Sequence, residues 1–293
     1  WFLNQPFSEV SFFVFLYLAV FLFLNRHADG TVNVRSQFFV GISLGVAVLI
    51  RPIGIGLFIP FAIAIFFHAP TRLLVTRKKS IVAMVFGVVL ILLPWQAYLA
   101  NVKGSFHLIS AGVHGHRSLV EGFIFGVHNE GYRVGIDLSP GVKAFMQDME
   151  TIIVFYDRIP DGREKYGPGG IYDVKSSLNI LKIALPRLIE NPKVGFDLFW
   201  LKLSRSWYGT DSNRYEYYSA VLQLVYLFFI VPALIKACRQ ENTRILALLA
   251  LFITCYFWSF AVAFTPLVRY MIPALGVLFT VIPGLWIRSR LKE

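Results

Sequence analysis

Residues 37–67 constrain the fold more than any other stretch of this chain. Two apolar runs, 38–50 and 53–67, flank a single interruption, Arg51-Pro52. An arginine held in lipid costs roughly 3 kcal/mol on insertion scales, so Arg51 is expected to face a wet cavity or a partner. Proline lacks an amide hydrogen and disfavours helix at the residue before it, which predicts a break or a turn here. As a helix the first run reaches only about 20 Å, short of a hydrocarbon core of roughly 30 Å. Two short arms meeting at an arginine-proline turn fit these facts better than one straight span. The expectation is a re-entrant or hairpin element that presents a cation at a membrane-embedded site.

Further apolar stretches lie at about 7–24, 81–97, 218–235, 245–264 and 271–287. With the two arms they predict an all-α polytopic membrane protein of about seven transmembrane crossings, one pair of them a hairpin with short arms. Composition agrees: 56% of residues are hydrophobic, 28 are Phe, and mean hydropathy is +0.62. The net charge of +11 does not argue for nucleic acid, because the basic residues sit between spans and form no continuous patch. Cys238 and Cys255 lie at different depths and imply no disulfide framework.

From 101 to 216 the composition turns to Gly, charged and polar residues, which predicts an extramembrane insert of mixed, partly helical structure. The organisation is then 1–100, transmembrane helices with the Arg-Pro hairpin; 101–216, the insert; and 217–293, three further transmembrane helices. Residues 104–168 carry many turn signals and no strong period. A helix is predicted over 174–190, with Leu178, Leu181, Leu185 and Leu188 on one face, although Pro186 counts against it. Asn191-Pro192 opens another, in which Phe196, Phe199, Trp200, Leu203 and Trp207 run beside Lys202 and Arg205. That mixture predicts a helix lying on a membrane surface.

If the hairpin crosses twice, Arg26, Arg35, Arg72, Arg77, Lys78, Lys79, Lys236, Arg239, Arg244, Arg288, Arg290 and Lys292 all fall on one side. The opposite short turns hold only Arg51 and Arg269. The positive-inside rule makes the first set cytoplasmic and places Glu9, Arg51, 95–101, the insert and Arg269 on the other side. The N-terminus is then outside, and since residue 1 is Trp rather than Met, the chain is expected to be incomplete.

Several residue sets invite chemistry. Arg51 and Arg269 suit a phosphate, because the planar guanidinium donates two parallel hydrogen bonds; the plainer role is snorkelling or capping of helix carbonyls. Glu9 suits pairing with one of them or orienting an acceptor; its plainer role is a helix N-terminal acid favoured by the macrodipole. His107, His114 and His116, with Glu121 nearby, lack a further Cys or Asp at ligand spacing, so a solvated loop is expected and no metal site. A divalent cation stays open. Asp157, Asp161, Glu164 and Asp173 read as charges of a solvated loop as readily as acid/base groups. Motifs of hydrolases, nucleotide-triphosphatases and zinc proteases do not occur.

Ser8-Glu9 at the head of a Phe/Leu-rich span, followed by residues 45–54 with Arg51-Pro52 at their centre, resembles the C superfamily of polyprenyl-phosphate-dependent glycosyltransferases. The nearest branches in pattern are the family 39, protein-mannosyltransferase and aminoarabinose-transferase-like enzymes. Pro94-Trp95-Gln96-Ala97-Tyr98 resembles the span end before their large external loop. Glu190-Asn191-Pro192 through Trp207 resembles their loop-closing amphipathic helix, and Arg269-Tyr270 with Pro273 the turn into a late span. Each motif is short and biased toward apolar residues, while their order and sidedness agree over nearly the whole chain.

The resemblance implies transfer of a sugar from a polyprenyl-phosphate carrier to an external acceptor such as a cell-envelope glycan, lipid or protein, without a resident cofactor. It implies that Arg51, Arg269, Tyr270 and Glu9 contact the donor or its lipid phosphate. The expected setting is a bacterial inner membrane, with the bilayer, the lipid-linked donor and the acceptor as partners. Such enzymes carry their catalytic acid in the first external loop, for which this chain has no counterpart, so it is expected to represent their later spans and its catalytic residue is unknown. The rival expectations are a transporter or flippase subunit, which would show internal repeats, and a structural membrane partner. The crossings before the insert do not resemble those after it.

Overall fold

The protein is described from a computed structural model that covers residues 4–27, 33–68, 74–103, 122, 138–157, 174–210, 215–263 and 267–281. Its helices are α1 (Asn4–His27), α2 (Val34–Ile50), α3 (Phe58–His68), α4 (Leu74–Lys103), α5 (Pro140–Asp157), α6 (Val174–Glu190), α7 (Pro192–Tyr208), α8 (Glu216–Arg239), α9 (Glu241–Ala263) and α10 (Ile272–Phe279). Short 3-10 turns occupy Pro52–Gly56 and Val268–Tyr270. Among the described residues there is no strand. Three stretches, Thr76–Val102, Glu216–Arg239 and Thr243–Ala263, are long and apolar enough to cross a bilayer. They mark a membrane protein. The apolar stretches Glu9–Leu24, Val34–Ile50 and Ile53–Phe67 are shorter.

The chain forms two compact units. One comprises Trp1–Ser110, Phe228–Tyr256 and Pro273–Glu293; the other comprises Ala111–Leu227 and Phe257–Ile272.

In the first unit α1 and α2 run antiparallel. Ser36 Oγ donates to the Leu22 carbonyl at 3.3 Å and Ser43 Oγ to the Phe15 carbonyl at 2.8 Å. Helix α4 runs parallel to α2. A Cβ on Gly41 would collide with the backbone of Met84, and one on Gly45 would meet Ile91 Cβ at 2.9 Å, so successive turns of the two helices stay in step. Small residues allow this approach of backbones, the packing favoured where lipid removes the hydrophobic drive between helices. Since α2 and α4 share a direction, the segment between them must return.

That return begins at Arg51-Pro52. Helix α2 stops at Ile50, and Arg51 adopts an extended conformation with φ −138° and ψ 115°. Pro52 then opens the 3-10 turn at a position where a missing amide hydrogen costs nothing. Helix α2 is longer than its apolar run. Asn33 caps it by accepting the Arg35 amide at 2.9 Å, which draws Arg35, Ser36 and Gln37 into the first turns.

Other boundaries also moved. Helix α4 extends well beyond 81–97 and passes through Pro94, α6 passes through Pro186, and α8 through Pro232. Each proline removes one rung, and the rest of a long or packed helix carries the loss. In the second unit, α5 forms within the stretch expected to lack a period. Val142, Phe145, Met146 and Met149 are buried along one of its faces. Arg187 Nε donates to Asp148 Oδ2 at 2.7 Å and ties α6 to α5, while Ser139 Oγ donates to Asp197 Oδ2 at 3.2 Å and ties α5 to α7.

Candidate functional site

Helix α2 delivers Arg51 to its end, and α1 delivers Glu9 to the same end. With Ser36 level with Leu22 and Ser43 level with Phe15, the antiparallel register carries Arg51 to the level of Glu9. Arg51 Nη2 donates to Glu9 Oε1 at 2.7 Å. The two side chains are 29% and 38% exposed, so the pair is half-buried at the end of the helices. Its bond uses one nitrogen; among the described residues, Nε and Nη1 have no hydrogen-bond partner. A fork with one prong on a carboxylate can still offer a donor edge to an oxyanion.

The backbone around Arg51 is held on both sides. Its amide caps the Ala47 carbonyl at 2.8 Å, and its carbonyl accepts the Gly54 amide at 2.9 Å. Beyond it, the Tyr256 hydroxyl of α9 donates to the Ile53 carbonyl and accepts the Gly56 amide at 3.1 Å. Within α4, which runs on to Lys103, Trp95 and Tyr98 stack at 5.5 Å and are both exposed.

Arg269 and Tyr270 belong to the second unit. They lie in the 3-10 turn Val268–Tyr270, where the Arg269 guanidinium carbon sits 5.3 Å from the Tyr270 ring centre, a cation–π distance. The Tyr270 ring lies 6.3 Å from Phe260. The turn is fastened to the end of α7, since the Val268 amide donates to the Gly209 carbonyl at 2.8 Å.

Two cations of the helix expected to lie on a membrane surface are interior. Arg205 on α7 is 1% exposed and forms a two-pronged ion pair with Glu216, the first residue of α8: Nη2 to Oε1, and Nη1 to Oε2 at 3.3 Å. Nη2 also donates to the Thr210 carbonyl at 3.3 Å. Lys202, one turn earlier and 5% exposed, donates to the Ala263 carbonyl at the end of α9 at 3.3 Å. Burial pushes the Lys202 ammonium down to about 7.

Trp258 Nε1 donates to the Leu203 carbonyl at 3.0 Å, and Trp258 packs edge-on against Trp207 at 5.3 Å. In helix α7 Lys202 and Arg205 are thus buried in protein, while Phe196, Phe199 and Trp200 stand exposed. The pattern contained a clue, because Lys202, Arg205 and Ser206 share a face with Leu198 at helical spacing.

His107, His114, His116, Glu121, Asp161, Glu164 and Asp173 lie outside the described residues, and Asp157 ends the backbone of α5. Among the described residues no group of three or more His, Cys, Asp or Glu side chains is placed to hold a metal ion. Cys238 and Cys255 are both free thiols. Comparison with protein-family models, with curated proteins and with solved structures finds no match to this chain.

Proposed function

We propose that this chain is the membrane-embedded part of a glycosyltransferase that takes a sugar from a polyprenyl-phosphate carrier, with Arg51 as a ligand of the donor phosphate. The observation that carries the reading is a guanidinium at a helix break, half-buried and held by Glu9 through a single nitrogen. A lipid phosphate needs a fixed cation near headgroup depth, and a half-used guanidinium offers one. Glu9 would hold Arg51 ready before the donor arrives. Arg269 and Tyr270, on a second short turn, are the further candidates for the donor or its lipid.

The reading extends to the topology. Helices α1, α2 and α3, whose apolar stretches are shorter than the three long spans, would each cross the bilayer and, with α10, bring the total to seven. The basic connections would then face the cytoplasm of a bacterial inner membrane, and the insert would cover the outer side and select the acceptor. The charge asymmetry and the reversal of direction at Arg51-Pro52 support this arrangement.

The test is sugar transfer in membranes from cells expressing the whole gene, with a radiolabelled polyprenyl-phosphate sugar as donor. Arg51→Ala should abolish transfer and Arg51→Lys should leave a small fraction, while both variants reach the membrane in normal amount. Unchanged transfer by Arg51→Ala would remove the assignment.

A further inference from the structure

We infer that Tyr256 is a positioning residue for Arg51: from α9 it grips the backbone of the turn that aims the guanidinium at Glu9. The turn Pro52–Gly56 holds two glycines and little stiffness of its own. Its ends are fixed by the Gly54 amide on the Arg51 carbonyl at 2.9 Å and the Leu57 amide on the Gly54 carbonyl at 2.9 Å. Between them the Tyr256 hydroxyl takes the Ile53 carbonyl as acceptor and the Gly56 amide as donor. One oxygen therefore fastens two backbone groups three residues apart.

The contact is built for close approach. A Cβ on Gly56 would lie 2.5 Å from Cε2 of the Tyr256 ring, so any other residue at 56 would push the ring away. Arg51 has already left the helix in an extended conformation. Its amide still caps α2, so its direction is set jointly by the end of α2 and by the turn that follows. Loosening that turn frees the Arg51 backbone to rotate and weakens its bond to Glu9, although Tyr256 bonds to backbone groups of the turn and not to the Arg51 or Glu9 side chain. In sequence the clamp joins residues two hundred apart, so a late helix governs an early site.

The first test needs no assumption about function. Tyr256→Phe removes one oxygen and keeps the ring. Thermal unfolding of the whole chain in detergent is measured for the native protein, Tyr256→Phe, Glu9→Ala and the double variant. Tyr256→Phe should lower Tm by about 2–4 °C in the native background and by less than half as much beside Glu9→Ala, where the guanidinium has no carboxylate to be aimed at. Equal losses in both backgrounds overturn the inference, since a merely structural hydroxyl would act alike in each.

The second test rests on the phosphate reading of Arg51 and uses dodecyl phosphate as the probe. Tyr256→Phe should weaken its binding roughly fivefold to tenfold. Arg51→Ala should weaken binding further but leave a measurable residue, and Tyr256→Phe should add nothing in that background. Additive losses would show that Tyr256 acts independently of Arg51 and would overturn the inference. Unchanged binding by Arg51→Ala would remove the proposed function, and the unfolding comparison alone would then decide the role of Tyr256.

Discussion

The pair between Arg205 and Glu216 offers the most demanding test of the second unit. Arg205 is 1% exposed and the Glu216 side chain 13%, so Glu216→Ala would leave a guanidinium inside the protein without its carboxylate. Removing one partner of a buried ion pair costs about 3–5 kcal/mol, because the remaining charge cannot be rehydrated. The Thr210 carbonyl stays as an acceptor for Nη2, which argues for the lower end of that range. The Thr210 amide, which donates to Glu216 Oε1 at 3.3 Å, loses its acceptor too, at a cost of about 1 kcal/mol. A total near 4 kcal/mol corresponds to a fall in Tm of roughly 8–16 °C for a unit of this size.

The assay is thermal unfolding in detergent, combined with limited proteolysis of the α7–α8 connection. Replacing both partners together, as Arg205→Met with Glu216→Leu, should recover most of the loss, since two apolar groups need no counter-charge. A Glu216→Ala variant within about 1 kcal/mol of the native protein would refute the argument. So would a double variant as unstable as the single one.

Three further outcomes follow from the geometry. Lys202 is held near 7 in the folded protein against 10.5 for the free side chain, so between those values the unfolded chain carries a proton that the folded chain lacks. Stability should therefore rise with pH across that window, by up to about 1.4 kcal/mol per pH unit, and denaturant titrations of Lys202→Met should lose that slope. Gly41→Leu drives a side chain into the Met84 backbone and should lower stability by about 1–3 kcal/mol or more, whereas a Leu at exposed Lys79 should change the unfolding midpoint little. Gln37 is fully buried, and neither atom of its amide has a hydrogen-bond partner among the described residues. Gln37→Met should therefore raise Tm, by the equivalent of about 1–3 kcal/mol; an unchanged or lower Tm would mean that the amide is satisfied.

The break at Arg51-Pro52 was legible because proline chemistry is local and an arginine between apolar runs admits few explanations. Long spans were legible for the same reason: length and hydropathy need no knowledge of neighbours. Pairing was harder. That Glu9 meets Arg51 depends on the register of two antiparallel helices, which a sequence leaves open until one contact such as Ser43 with Phe15 sets it. Tyr256 carried no signal at all, since its partners are backbone groups in a distant turn. Helix α5 escaped because its buried stripe relies on two methionines among acidic and polar neighbours. Helix α7 was legible as a mixture of aromatic and basic residues, but not which of them turn inward: only the tertiary partners Glu216 and Ala263 show that Arg205 and Lys202 are interior.

The parallel contact of α2 with α4 also imposes a timetable on synthesis. The backbone that receives Gly41 belongs to Met84, and the side chain that receives Gly45 belongs to Ile91, roughly 45 residues later in the chain. At about 5–20 residues per second, the ribosome needs roughly 2–9 s to produce that partner. During this interval the glycine face of α2 has nothing to close on, although α1 is already available on its other side. The seam between α2 and α4 therefore closes only after α3 has been made, whereas α1 can pack against α2 as soon as α2 emerges.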